Sequence, residues 1–182
     1  MQGELKEADK NQTTTVCIED SFEVFRLADG SIVNIRIMDT SGQDRFNSLT
    51  ASYYKNADCC LLVYDITSKQ SFDKIKDYYV KKIKENCKKI IKVVLLGNKK
   101  DLEQNRKVAV EDGIKIAEEN GFIFKESSCY SNHNVADAFT TLIEMTNSEL
   151  IKIGREKNLS LNINNPNAVD KDYGDSHSSK CC

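Results

Sequence analysis

Hydrophobic and polar positions fall into two regimes along the chain. Ser21 to Leu27 and Ile32 to Met38 flank the short polar segment Ala28-Asp29-Gly30-Ser31. In the second run Val33, Ile35 and Ile37 alternate with Asn34 and Arg36, the period of two that gives a strand one buried face. Asp-Gly between two such runs predicts a hairpin. After Asp39 the apolar runs become continuous: Cys59 to Tyr64, Ile91 to Leu96 and Phe122 to Phe124. Runs of that kind suit strands covered on both faces, as in a parallel sheet. Between them lie helical patterns. One runs from Ser71 to Cys87 with Phe72, Ile75 and Tyr79 along one face, and another from Val110 to Asn120, closed by Gly121. A last helix from Val135 carries Ala138, Phe139, Leu142 and Ile143 at one-face spacing. The alternation predicts an α/β, doubly wound, mostly parallel sheet with one antiparallel hairpin strand.

The periodicity is confined to the middle of the chain. Residues 1–16 have scattered apolar positions and are expected to be poorly ordered; residues 17–153 carry the domain. From Gly154 onward Asn162, Asn164, Asn165, Pro166, Asn167, Asp170, Asp172 and Asp175 make a polar stretch, so 154–182 is expected to be a flexible tail. At 182 residues, 40% hydrophobic and 30% charged, the chain suits one soluble domain of ordinary core size. A net charge of -2 gives nucleic acid no electrostatic footprint, and Lys81, Lys82, Lys84, Lys88 and Lys89 read as a solvated helix face. No apolar run approaches the ~20 residues of a membrane span, and Met1-Gln2-Gly3-Glu4-Leu5 has no signal-peptide character. The seven cysteines show no C-x-x-C and no metal-ligand spacing, and His133 and His177 have no ligand partners nearby in sequence. Reduced thiols in a cytosolic compartment are expected.

Two motifs follow strand-like runs, where open α/β sheets bind ligands. Asn98-Lys99-Lys100-Asp101 stands after Gly97. A carboxylate there accepts both N–H donors on the edge of guanine at once, whereas adenine offers no matching pair and leaves the charge unmatched, at about 1–3 kcal/mol. The asparagine amide braces such a loop and the lysine stem covers the base. A plain strand-ending polar loop is the bland alternative, and the strand context weighs against it. The second motif is Asp39-Thr40-Ser41-Gly42-Gln43; a strand-ending turn favours Asp, Ser and Gly but gives no reason for Gln43.

Asp39-Thr40-Ser41-Gly42-Gln43-Asp44-Arg45-Phe46 resembles the D-T-A-G-Q-E-R-F segment of Rab GTPases. Ser48-Leu49-Thr50, Tyr53-Tyr54-Lys55-Asn56-Ala57, Leu62-Val63-Tyr64-Asp65-Ile66-Thr67 and Ser71-Phe72 resemble the Rab text that follows, over roughly Ile18 to Ile153. The resemblance implies a Ras-like fold, with GTP/GDP and Mg²⁺ as ligands, GTP hydrolysis, and vesicle traffic as the setting. It implies that Asp39 holds Mg²⁺, that the Gly42 N–H approaches the γ-phosphate and that Gln43 orients the attacking water. It further implies that Asn98, Lys99 and Asp101 read the base. In the third guanine loop, E-T-S-A-K in the family, Glu126-Ser127-Ser128-Cys129-Tyr130 keeps Ser128 and a Cys129 backbone donor, while Tyr130 replaces the lysine. Counting back from Asp39 puts Cys17 at the family's Mg²⁺-binding threonine; a small shift brings Thr15 or Thr14 there instead, and a thiol is a poor ligand for a hard cation. Met38 stands where Rabs usually place tryptophan. Implied partners are effector, exchange and GTPase-activating proteins.

One family motif does not occur. G-x-x-x-x-G-K-[ST] is nowhere in the sequence, and residues 1–14 have neither its strand nor its Gly-Lys-Ser. The family's strand there is central, so its two neighbours are expected to face a gap with unpaired backbone groups. Losing the lysine and its accompanying backbone donors removes roughly 7–15 kcal/mol of phosphate binding, which makes a tight site negligible. Cys181-Cys182 ends the sequence after the polar tail. The resemblance implies two geranylgeranyl groups there, attached by prenylation machinery with its escort, enough for stable anchoring. The expected location is the cytoplasmic face of an intracellular membrane, with a cytosolic pool. Two readings stand side by side: a Rab-type GTPase recorded without its phosphate-binding segment, and a non-catalytic prenylated binding module of pseudo-GTPase type.

Overall fold

A computed structural model describes residues 19–40, 54–87, 91–164 and 178–181. The hairpin pattern becomes β1 (Glu19–Arg26) and β2 (Ile32–Asp39), antiparallel, with Glu19 opposite Asp39 and Arg26 opposite Ile32. Gly30 takes φ 85° in the connecting turn, a conformation closed to most side chains. The continuous apolar runs become β3 (Cys59–Asp65), β4 (Lys92–Asn98) and β5 (Ile123–Glu126). They pair in parallel, Asp65 in register with Asn98 and Gly97 with Glu126. The architecture is the expected α/β arrangement, a largely parallel sheet carrying one antiparallel hairpin strand.

Helices cover both faces of the sheet. The first, α1 (69–86), joins Lys69–Lys74 and Val80–Asn86 through a π-helical turn at Ile75–Tyr79. Its start is capped by Ser68, whose hydroxyl accepts from the Ser71 N–H at 3.3 Å. The second, α2 (Val110–Asn120), ends where Gly121 adopts φ 69° and the Phe122 N–H returns to the Ala117 carbonyl at 2.8 Å, a left-handed cap of the kind glycine favours. These two helices enclose Tyr54, Leu62, Tyr64, Ile66, Phe72, Ile75, Val80, Ile83, Leu95 and Ile116 in the larger core cluster. On the other face α3 (Val135–Asn164) sets Ile143 against Leu27, Val33 and Ile35, and Leu142 against Cys59 and Val94. The buried Cys60, the less buried Cys87 and the exposed Cys129 form no disulfide. Cys59 is disulfide-bonded, so the expectation of uniformly reduced thiols does not extend to it.

Two features differ from the sequence reading. The helix from Val135 continues past Gly154, the expected start of the tail, to Asn164. Residues of that tail then return as β6 (Ser178–Cys181), and the sheet order is β1-β2-β6-β3-β4-β5. The expected gap is therefore partly bridged by the tail. The physical reason is that unpaired N–H and C=O groups of β2 and β3 take a partner where the chain supplies one.

Candidate functional site

Four parallel strands end on one edge of the sheet, and the chemistry collects there. Asp39 closes β2, Asp65 closes β3, Asn98 closes β4, and Glu126 closes β5. The ladder runs on beyond the strands through Ile66 N–H to Asn98 O at 3.1 Å and Ser127 N–H to Gly97 O at 2.9 Å. This fastens the loop after β4 directly to the loop after β5. Lys100 N–H adds a bond to Ser127 O at 3.0 Å.

The side chains lock the same two loops. Asn98 Oδ1 accepts the Cys129 N–H at 3.2 Å and the Ser127 hydroxyl at 3.4 Å. Asp101 Oδ1 accepts the hydroxyl of Ser128, a residue that is itself buried. Ser128 Oγ in turn accepts the Ser131 N–H at 3.1 Å, and Ser128 exchanges backbone bonds with His133 at 3.0 and 2.9 Å. Asp101 is exposed, yet its carboxylate is held from one side by a hydroxyl whose own position is fixed. Each carboxylate oxygen has two lone pairs, so the contact leaves acceptor capacity on both. Lys100, Asp101, Ser128, Ser131, Asn132 and His133 line an open pocket of about 440 Å³ beside it.

Backbone strain is concentrated in these loops. Among the described residues, the non-glycine positions with positive φ are Lys99 (70°), Asn132 (53°) and Asn134 (57°). Asparagine tolerates that region; lysine gains nothing from it, and such strain persists where surrounding contacts over-determine it. For Lys99 the contact is an ion pair, Nζ to Asp65 Oδ2 at 2.8 Å. Asp65 Oδ1 also accepts the Thr67 N–H and hydroxyl at 2.8 and 2.7 Å. Partial burial pushes the Asp65 carboxyl up, but the hydrogen bonds from Lys99 and Thr67 outweigh it and hold the group below the usual aspartate range.

Beneath the pocket lies a second brace that the sequence reading missed. Arg106 spans Glu126, at 2.7 and 2.9 Å, and Glu103, at 2.7 Å through both Nε and Nη2. It ties the 3₁₀ segment Lys100–Asn105 to the end of β5. Its Nη1 also donates to the Val108 carbonyl at 3.0 Å, and Asn134 Nδ2 donates to the Glu126 carbonyl at 3.0 Å. The bonds it donates, to Glu103 first and to Glu126 second, raise the already high pKa of the guanidinium, so it is charged at any working pH. The links from Arg106 to Glu126 and from Asp65 to Lys99 were not readable in the sequence, because those partners are remote along the chain.

The structure thus brings together Asn98, Lys99, Asp101, Ser128 and Cys129. It places Asp39 on the same sheet edge, at the end of β2. The Cys129 N–H expected to face the base is used by Asn98 instead. Tyr130, where the resemblance places a lysine, is 83% exposed. Thr15, Cys17, Gly42, Gln43 and Cys182 lie outside the described residues, and of Cys181 the strand pairing is described. Among the described residues no group of three or more His, Cys, Asp or Glu is arranged to hold a metal ion, and no helix is long and apolar enough to cross a membrane.

Comparison with known proteins gives the same direction. A family profile described as Ras family matches residues 5–148. Ras-related protein Rab-13 of Mesocricetus auratus is 38% identical over 154 residues, covering 85% of this chain and 73% of the relative. GTP-binding protein ypt2 of Schizosaccharomyces pombe is 36% identical over 152 residues, covering 84% and 74%. Ras-related protein Rab-13 of Canis lupus familiaris is 44% identical over 114 residues, and there the chain spans only 56% of the relative's length.

Proposed function

The chain belongs to the Ras family as a small GTPase of the Rab type, and we propose that the loops after β4 and β5 read the guanine base of GTP or GDP. The observation that carries this is the Ser128 hydroxyl on Asp101. It aims an exposed carboxylate at the pocket while the Arg106 brace keeps both loops from spreading. A carboxylate so held meets the paired N–H donors of guanine without reorganising, and rejects adenine by leaving the charge unmatched. Lys99 lies with its stem beside the same loop, fixed at its ammonium end by Asp65.

The residues fit the base half of a nucleotide. The phosphate half involves Asp39 and, outside the described residues, Gly42, Gln43 and Thr15. In this reading Asp39 and Thr15 would hold Mg²⁺, which would supply charge neutralisation for the phosphates. The Gly42 N–H contacts the terminal phosphate, and Gln43 orients water for hydrolysis. Nucleotide state then governs effectors in vesicle traffic, under exchange and GTPase-activating proteins. Cys181 and Cys182, lipidated through an escort-assisted prenylating enzyme, hold the protein on the cytoplasmic face of an intracellular membrane, with a cytosolic pool.

A second reading concerns the given 182 residues by themselves, among which G-x-x-x-x-G-K-[ST] does not occur. On it the protein is a prenylated binding module without catalysis. Amide shifts of Lys100, Asp101, Ser128 and Cys129, followed during separate titrations with GTP and ATP, test both. Base contacts alone support an affinity of about 1 mM, with GTP preferred and the preference lost in Asp101→Asn. Equal responses to the two nucleotides overturn the guanine assignment. Mg²⁺-dependent binding at micromolar concentration overturns the non-catalytic reading.

A further inference from the structure

β6 is an unusual occupant of the centre of a sheet. It runs parallel to both neighbours, in register with β2 from Asn34↔Ser178 to Ile37↔Cys181, but meets β3 only at Cys59↔Cys181. Val63, farther along β3, is 47% exposed. Central strands in this molecule are apolar, as in the Val93 to Leu96 run of β4, whereas β6 reads Ser-Ser-Lys-Cys. Its register sets Lys180 opposite Arg36, a position where β4 has buried apolar residues on both sides. Ladder pairing favours this docking, and the polar composition of the segment disfavours it.

We propose that the slot between β2 and β3 is a reversible docking site for the chain's own Ser178–Cys181 segment, and that docking and lipidation of Cys181 and Cys182 exclude one another. The proposal rests on the lipidation reading above. Prenyl transfer forms a C–S bond at each cysteine as the C–O bond of a prenyl diphosphate breaks. The thiol proton goes to solvent and pyrophosphate leaves. The transferring enzyme must draw an extended tail into its own cleft, and a tail whose backbone is paired to β2 as far as Cys181 is not available to it. The slot therefore regulates when the membrane anchor is made, and the balance between the docked and free tail sets the lipidated fraction.

Two substitutions move the balance in opposite directions. Lys180→Pro removes a backbone N–H from the docked strand and disfavours it, while Lys180→Ile adds strand propensity. Hydrogen exchange on the whole chain, under reductant because Cys59 is disulfide-bonded, reads docking at residues 179–181 and at Ile35 and Ile37. Exchange at these amides is expected to be at least ~10-fold slower than in the free tail for wild type, faster in Lys180→Pro and slower still in Lys180→Ile. Thermal melts of both variants verify that the domain stays folded. Mass spectrometry of the cell-expressed chains is then expected to show lipid rising from Lys180→Ile through wild type to Lys180→Pro. Free-tail exchange in wild type overturns docking and leaves the lipidation reading intact. Protected amides together with equal lipidation in all three chains overturn the exclusion. Protection in wild type with no lipid even in Lys180→Pro overturns the lipidation reading and the proposal with it.

Discussion

Arg106 donates through Nη1 and Nη2 to the two carboxylate oxygens of Glu126, at 2.7 and 2.9 Å, across 20 positions of sequence. Both side chains are largely buried, at 14% and 8% exposure. Removing one partner from such a pair strands the other charge away from water, so Arg106→Met is expected to cost about 3 kcal/mol. For a chain of this size that is a fall in melting temperature of roughly 6–12 °C. Glu126→Gln should cost less, because Arg106 keeps its bonds to Glu103. A thermal melt that ranks the two variants the other way would remove the brace from the account.

Lys99 tests the strain in the base loop. Lys99→Ala loses the ion pair to Asp65 and keeps a β-carbon at φ 70°, while Lys99→Gly loses the pair and relieves the backbone. The glycine variant is therefore expected to be the more stable of the two by about 1 kcal/mol, measured by urea unfolding. Equal stabilities would mean that the left-handed conformation carries no strain.

Asp65 gives the loop a pH dependence with a definite sign. Its carboxyl is held below the usual aspartate range in the folded protein. A depressed folded pKa means that the stabilisation is complete above the unfolded pKa, near 4, and is lost as pH falls through the lower folded value. The stability gap between wild type and Asp65→Asn should therefore be largest at neutral pH and shrink below about pH 4. Unfolding series at several pH values measure it. A gap that widens in acid would reverse the assignment.

Tyr64 carries a hydroxyl that is buried and has no hydrogen-bond partner among the described residues. A β-carbon added at Gly97 or at Gly113 would lie 2.9 Å from that oxygen, so small residues on two elements make room for it. Burial first, and the Glu126 charge second, push the phenol above its usual range and keep it protonated. Removing an unpaired buried hydroxyl eliminates a desolvation penalty, so Tyr64→Phe is expected to be neutral or stabilising by up to about 1 kcal/mol. A loss of more than that in urea unfolding would reveal a bond to the hydroxyl.

Local pattern determined much of this molecule. The alternation at Val33, Ile35 and Ile37, the continuous runs of β3 and β4, and Gly121 at the end of α2 each express a preference that acts within a few residues. The structure places the elements accordingly. Asn98 to Asp101 was legible because it follows a strand-like run, and Ser128 through the family resemblance; parallel pairing then brings the ends of these neighbouring strands to one edge. What acts over long separations was not legible. The Arg106–Glu126 pair, the Lys99–Asp65 pair and the use of Asn98 to hold the Cys129 N–H arise from distances that exist only after the sheet has formed. The continuation of α3 beyond Gly154 and the return of Ser178–Cys181 between β2 and β3 belong to the same class. A polar segment has no intrinsic reason to become a central strand. It does so here because two strands with unmet backbone groups supply a ladder that no local sequence signal records.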